Sequence, residues 1–424
     1  MARRGSRSLT LAIVAAMVMS APAAATTGWL DPTFSDDGHV RLDPPVGSEP
    51  IRPRSLIVRD GPTGRVFLGR GAFVFEGSTF DVLALTPRGT VDGSFNGGDW
   101  TNRIGGTDHI RPIGVFPMAD GGVLAAGWRS VGSDLQVIRF GPGGGEADSF
   151  FGTTGDDEVA ASMVRLPGGS LRTCTWTTPI VTHLIGLTAT LDVDGAVWRR
   201  ELDIGGCHQI VADSASHLYL ADDRTVDGTN ATRRFIELVR TSNSGRTDTA
   251  WADAGRARVE RGGLHVGLPF DPVSGAFGYS TGNPAVFPLP DGSLLIAARV
   301  ARVEPAGPWR AAVVKVTPDG SLDPSFGNGG IKAMGPVDGQ SRVLAMTVDS
   351  RGRAIVSMVY NHDDGRTRAY LARLTAAGTF DTAFGRNGLI PQTHGARSLD
   401  IDADGRILTM ASDGQSIVVA RRTN

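Results

Sequence analysis

The stretch from Ser321 to Met334 reads SLDPSFGNGGIKAM, with an Asp, a Phe three residues on and a Gly-rich exit. Such a segment can be a ligand loop or a piece of scaffold, and its recurrence separates the two. Related stretches are WLDPTFSDDG (29–38), TVDGSFNGGD (90–99), EADSFFGTTG (146–155), RTDTAWADAG (246–255) and TFDTAFGRNG (379–388). The shared form is Asp, two residues, an aromatic, then Gly. Steps between Asp31, Asp92, Asp148, Asp248, Asp323 and Asp381 include one of nearly double length. A degenerate copy, GAVWRRELDI (195–204), falls inside it and keeps Trp198 without the Asp. Repetition of this kind is the first thing a fold assignment must explain.

Each motif is followed by the same grammar. In the unit beginning near 379, LIPQ leads to SLDID, an Asp404-Gly405 turn, RILTMA and finally SIVVARR. The second unit runs WTNRI, IGVFPM, the turn Asp120-Gly121, VLAAGW and LQVIRF. Alternation and β-branched residues mark strands, and Asp-Gly or Gly-Gly pairs mark hairpins. No stretch sustains a 3.6-residue period, so the chain is all-β. Four strands per unit make an antiparallel sheet with two apolar faces, and radial stacking buries both. Units starting near 29, 90, 146, 195, 246, 321 and 379 predict a single seven-bladed β-propeller over residues 26–424, with six blades as the alternative. The terminal units carry no polar cap, which favours ring closure.

Leu322-Asp323-Pro324-Ser325-Phe326-Gly327, preceded by Pro318-Asp319-Gly320, and Phe380-Asp381-Thr382-Ala383-Phe384-Gly385 are the best copies. With the Asp-Gly hairpin and a strand ending in Arg-Leu, they resemble the delta-60 repeat of exported bacterial β-propellers. The first copy departs from that pattern with Ser35 in place of Gly, and the fifth has Trp251 for Phe. The resemblance implies fold and export, and carries no reaction with it.

Residues 1–25 read as a cleaved secretory signal. Arg3, Arg4 and Arg7 precede the apolar run Leu9–Met19, and Ala23 and Ala25 stand in the A-x-A relation that signal peptidase reads. The run is shorter than the ~20 residues that span a bilayer, and no later stretch is long and apolar enough to cross. Secretion or a periplasmic location, as a monomer, is the expectation. Loss of those arginines takes the formal charge from −2 to −5, which leaves no electrostatic footprint for nucleic acid. In an oxidising compartment Cys174 and Cys207 either form a disulfide or stay as buried thiols.

Repetition also bears on chemistry. Asp31, Asp92, Asp148, Asp248, Asp323 and Asp381 are near-equivalent, whereas a catalytic carboxylate needs a special environment. We therefore read each Asp as a turn acceptor. Phe34, Phe95, Phe151, Trp251, Phe326 and Phe384 are read as packing between neighbouring blades, with the motif as the joint from one blade to the next. Asp400, Asp402 and Asp404 match the first half of a calcium loop, D-x-D-x-D-G, but the bidentate twelfth position is Ala411. A calcium site built on one strand face is the remaining metal reading, against an ordinary hairpin. His109, His208, His265 and His394 fall in loops entering second strands, with no ligand spacing among them. Arg54, Arg111, Arg342 and Arg397 lead into the same strands and could form a rim for an anionic ligand such as an acidic glycan. The insertion Arg261–Asn283 is either a ligand loop or a surface excursion. No nucleophile elbow, metalloprotease helix or phosphate loop is present. Three functions remain: a binding scaffold for a glycan or exported protein, a glycan- or lactone-directed hydrolase or lyase at the channel mouth, and a calcium-stabilised adhesion module.

Overall fold

The computed structural model describes residues 28–43, 55–74, 77–101, 104–106, 110–129, 134–153, 159–176, 181–188, 198–202, 206–227, 232–269, 284–337, 339–361 and 365–424. Residues 1–25, read from the sequence as a signal, lie outside them, as do Arg54 and His109.

Seven antiparallel sheets form the blades of a propeller. Blade one comprises Ser55–Asp60, Val66–Val74, Gly77–Leu85 and Ile104–Gly106. Blade two comprises Ile110–Pro117, Val123–Arg129, Asp134–Phe140 and Glu146–Thr153. Blade three comprises Val159–Arg165, Leu171–Trp176, Thr182–Leu187 and Trp198–Leu202. Blade four comprises Gln209–Ala212, Leu218–Asp227, Thr232–Thr241 and Arg256–Val259. In blade six the strands are Ser341–Val348, Ala354–Asn361, Thr367–Leu374 and Leu389–Gln392. The first strand of each blade is the inner one, and these inner strands neighbour one another around the channel.

Blade seven joins the chain's two ends. Ser398–Ile401, Ile407–Ser412 and Ile417–Arg422 pair in order, and the outer strand is His39–Leu42. Its register sets Val40 opposite Val419 and Leu42 opposite Ile417. An early strand thus completes the last sheet and closes the ring, which removes the open edge that an unclosed stack would expose.

Blade five departs from the pattern. Its inner position is shared by Leu264–Gly267 and Val286–Pro288, both paired with Leu294–Arg302, followed by Arg310–Val316 and Ile331–Ala333. Gly267 sits opposite Arg299, and Val286 opposite Ile296. The insertion read from the sequence therefore interrupts the inner strand itself, beside the channel. Its residues 270–283 lie outside the described ones.

The repeat as read in sequence is out of phase with the blade. Five copies, those at 29, 90, 246, 321 and 379, lie between the third strand and the outer strand of one sheet; for 321–330 these are Arg310–Val316 and Ile331–Ala333. The expectation that the motif is the chain's passage from blade to blade is corrected accordingly. That passage is the loop from outer strand to next inner strand. The copy 146–155 is itself mostly the outer strand of blade two, and Asp148 faces Arg139 across it. It has Phe140 where the copies at Asp248, Asp323 and Asp381 carry a basic residue eight positions before the Asp, and its Ser-Phe-Phe run suits a strand. The degenerate copy supplies Trp198–Leu202, the outer strand of blade three.

Packing follows the ring. Apolar clusters sit at the blade–blade interfaces: one between blades one and two around Phe67, Phe80 and Phe95, one between six and seven around Ile355, Phe384 and Ile407. The largest runs from blade four through blade six and includes Trp251, Val313 and Phe326. Second strands, such as Ala354–Asn361 of blade six, are buried on both faces over most of their length, hence their continuous apolar sequence.

Candidate functional site

The motif builds a clasp. In five copies the Asp Oδ1 accepts the N–H two residues on: Thr33 at 2.9 Å, Ser94 at 2.9 Å, Ala250 at 3.2 Å, Ser325 at 2.9 Å and Ala383 at 3.1 Å. The aromatic N–H closes the turn on the Asp carbonyl, at 3.1 Å for Phe326. The next residue is left-handed in all five, with φ of +56° at Gly327 and +53° at Gly385, and +47° even at Ala252. Gly meets this demand without strain in two copies, while Ser35, Asn96 and Ala252 adopt it in the others. The remaining carboxylate oxygen takes a cation: Arg421 for Asp31 (2.8 Å), Arg65 for Asp92 (2.8 Å), Lys315 for Asp323 (3.0 Å), Arg373 for Asp381 (2.9 Å), and Arg240 for Asp248. Burial pushes the Asp31, Asp92, Asp248 and Asp381 carboxyls up, but their turn hydrogen bonds and arginines outweigh it and hold them below the ordinary range. At Asp323 the Ser325 hydroxyl bond leads the same lowering. Five carboxylates neutralised alike are structural acceptors and offer no general acid or base.

The aromatic completes the clasp across a blade boundary. Phe326 lies under Gly378 of blade six, where an added Cβ would meet its ring at 2.9 Å, and Gly327 N–H donates to Ala377 O at 2.8 Å. Phe34 meets Gly89, Phe384 meets Gly28, and the Trp251 indole donates to Pro318 O at 2.8 Å beside Gly320. In blade one Asn96, next to Phe95, donates to Gly143 O at 2.9 Å. The Phe151 side chain lies outside the described residues. Between blades three and four, Cys174, on the second strand of blade three, is disulfide-bonded to Cys207, just before the inner strand of blade four.

The acidic run of blade seven dissolves into hairpin chemistry. Asp402 Oδ1 accepts the Asp404 and Arg406 N–H groups at 3.1 and 2.8 Å, and Oδ2 takes Arg406 Nε at 2.7 Å. Asp349 with Arg353 and Asp213 with His217 repeat this turn in blades six and four. Asp400 instead accepts the Asp60 N–H of blade one at 2.9 Å, and Ser398 Oγ accepts Val58 N–H at 3.0 Å. These bonds satisfy inner-strand amides that no backbone neighbour reaches. Asp404 is exposed and pairs with Arg406. The strand ends at Ile401, so the three carboxylates do not share a strand face as the metal reading requires. No group of three or more ligand-type side chains suited to a metal occurs among the described residues.

The histidines are dispersed. His208 pairs with Asp222. His394 lines a small groove with His39 at the ring-closing seam. His265 accepts Arg234 N–H at 3.3 Å, and burial, then Arg234, lowers its pKa. It also faces the Trp309 ring at 5.7 Å, and this contact leads to a cleft.

That cleft, of about 420 Å³, lies between blades five and six. Its volume falls within the ~300–1,000 Å³ of small-molecule sites. One wall is Trp309, in the loop after the second strand of blade five, with the Arg299 guanidinium 4.5 Å from its ring centroid. Arg299 is held by Asp223 of blade four at 3.2 Å, and Asp223 also accepts Leu268 N–H at 2.6 Å. The stem of the insertion, Pro269, closes this side. The other wall is blade six: Gln340 and Arg342 at the start of its inner strand, Asn361 at the end of its second, and Thr367. Thr367 donates to Asn361 Oδ1 at 2.9 Å, which orients the Asn361 amide. Ser341 is committed to structure, its Oγ bridging Met334 O and Ala311 N–H at 2.8 and 2.9 Å. No carboxylate lines the cleft among the described residues.

Of the four arginines expected at a rim, Arg342 lines this cleft. Arg397 sits outside it, with its N–H on Met410 O at 2.8 Å. Arg111 lies on the inner strand of blade two, its side chain outside the described residues. Sequence reading missed Trp309 and Arg299, which belong to no repeated motif. Their departure from the repeat was the available signal.

A family comparison agrees with the fold. Residues 289–326 and 359–384 match the model described as "Domain of unknown function (DUF5122) beta-propeller". No curated protein matches the sequence. Similar solved structures include a protein of unknown function from Dyadobacter fermentans, 12% identical over 91% of this chain and 98% of that one, with a TM-score of 0.45. Another, of unknown function from Bacteroides caccae, is 12% identical over 57% of this chain and 69% of that one, with a TM-score of 0.31. Cobalt-substituted Synechocystis apocarotenoid oxygenase is 9% identical over 84% and 93%, with a TM-score of 0.43.

Proposed function

We propose that this chain is an exported propeller of the delta-60 repeat kind that serves as a binding scaffold, with the cleft between blades five and six receiving an acidic carbohydrate. The observation that carries the reading is the lining: a half-buried Trp309 ring, Arg299 and Arg342, three neutral polar side chains, and no carboxylate among the described residues. A sugar offers an apolar ring face to an aromatic wall. A uronate or sulfate on it gains charge-assisted bonds from guanidinium groups. Gln340, Asn361 and Thr367 supply the donors and acceptors that hydroxyl groups need. Glycoside hydrolysis calls for a pair of carboxylates, so this lining favours binding over glycoside hydrolysis. Export is supported by the leader-like first 25 residues and by a disulfide that suits an oxidising compartment.

Calorimetric titration of the mature protein with a uronate trisaccharide and a neutral trisaccharide of like linkage tests the proposal. Saturable binding of the uronate, weakened tenfold or more by Arg342→Gln and by Trp309→Ala, is the expected result. Equal binding of the neutral sugar, or indifference to both substitutions, defeats it.

A further inference from the structure

A second recess, of about 460 Å³, lies across blade five. The loop after the second strand joins the two sites, giving Gly307 and Pro308 to this groove and Trp309 to the cleft. Four cations line it, Arg261, Arg302, Arg310 and Lys332, and no carboxylate does among the described residues. Contacts to uncharged groups are seen for three of them. Arg261 donates to the Asn328 carbonyl and side chain, Arg310 to Gly335 O at 2.7 Å, and the Lys332 ammonium stands 4.6 Å from the Phe380 ring centroid. Arg302 is exposed at the rim. Between the cations the floor is apolar, formed by Leu264, Val300 and Ile331, and Val337 is 60% exposed at its edge.

A free sugar would leave that floor unsatisfied, and an inorganic anion would use only the rim. We infer that this groove binds a single-chain organic anion, an apolar body ending in a carboxylate, sulfonate or phosphate. The apolar body removes Val337 and the floor from water, at roughly 25 cal/mol per Å² covered. The acidic group meets Arg261 and Lys332, whose own charges are met by a carbonyl and a ring face. A recess of about 460 Å³ holds one chain end, so the occupant is a free amphiphile and not a bilayer surface.

Anilinonaphthalene sulfonate is the probe, read by fluorescence titration of the mature protein, with laurate, dodecanol and inorganic phosphate as competitors. One saturable site is expected, displaced by laurate at concentrations where dodecanol and phosphate have at least tenfold less effect. Lys332→Glu and Arg302→Glu should each raise the probe Kd tenfold or more with unchanged circular dichroism. If either reversal fails to fold, the wild-type competition series alone decides. Displacement by dodecanol as effective as by laurate overturns the inference, as does the lack of a saturable site. Co-sedimentation with phosphatidylglycerol vesicles but no binding of monomeric laurate would also overturn it.

Discussion

Replacing Phe326 with alanine removes the ring that joins blade five to blade six. The side chain is 1% exposed and belongs to the largest apolar cluster. Burial of such a ring contributes about 1.5–3 kcal/mol by transfer alone. The cavity left behind adds to that, because the Gly378 turn above it is pinned by Gly327 N–H on Ala377 O and cannot collapse freely. Large-to-small changes of this kind cost about 3–5 kcal/mol. Urea unfolding of Phe326→Ala, followed by fluorescence and by far-ultraviolet circular dichroism, should show that loss with coincident transitions. Gly378→Ala approaches the same contact from the other blade. Its φ is +75°, and the new Cβ would press on the ring at 2.9 Å, so it too should destabilise, by about 1–3 kcal/mol. A loss below 1 kcal/mol for Phe326→Ala, with ligand binding abolished, would refute the clasp and return the motif to the status of a site.

Two further expectations concern the seams. Opening Cys174–Cys207, a separation of 33 residues, releases a loop worth about 4 kcal/mol in the chain-entropy account. Cys174→Ala/Cys207→Ala should lower the unfolding free energy by about 2–4 kcal/mol, and an unchanged urea midpoint would contradict the disulfide's role as the link between blades three and four. At the seam of blades seven and one, burial first, then the neighbouring Asp402 and Asp400 charges, raises the Asp60 carboxyl to about 6, against the Ala403 N–H bond and Arg406. A raised carboxyl favours the protonated folded state. Its contribution is full below pH 3.8 and is lost as pH rises through about 6. That rise corresponds to about 3 kcal/mol, reduced to about 1 kcal/mol by solvent screening at a partly exposed site. Asp60→Asn should therefore stabilise the protein above pH 6 and flatten the slope between pH 4 and 6. An unaltered slope would dismiss the assignment.

Strand positions, blade number and the turn role of the motif Asp were legible in the sequence because each depends on local periodicity. Alternation, Asp-Gly hairpins and a left-handed residue after the aromatic are properties of short segments, repeated until they stand out. The basic residue eight positions before the motif Asp was equally present, in Arg373, Lys315 and Arg240. Its meaning needed the hairpin that folds the third strand back against the motif turn. Asp400 and Asp402 looked alike on paper and serve different neighbours, one a strand amide of blade one and the other its own turn.

The phase of the blades belongs to the ring, since only closure through His39–Leu42 shows which four strands share a sheet. The same holds for convergence. Trp309, Arg299 and Arg342 carry no common spacing, and curvature of the ring brings one wall from blade five against another from blade six. The sequence by itself determined what repeats, because backbone hydrogen bonding and strand alternation act over a few residues. Tertiary structure alone decided where the repeats part to make a cleft, because that depends on packing between strands far apart in the chain.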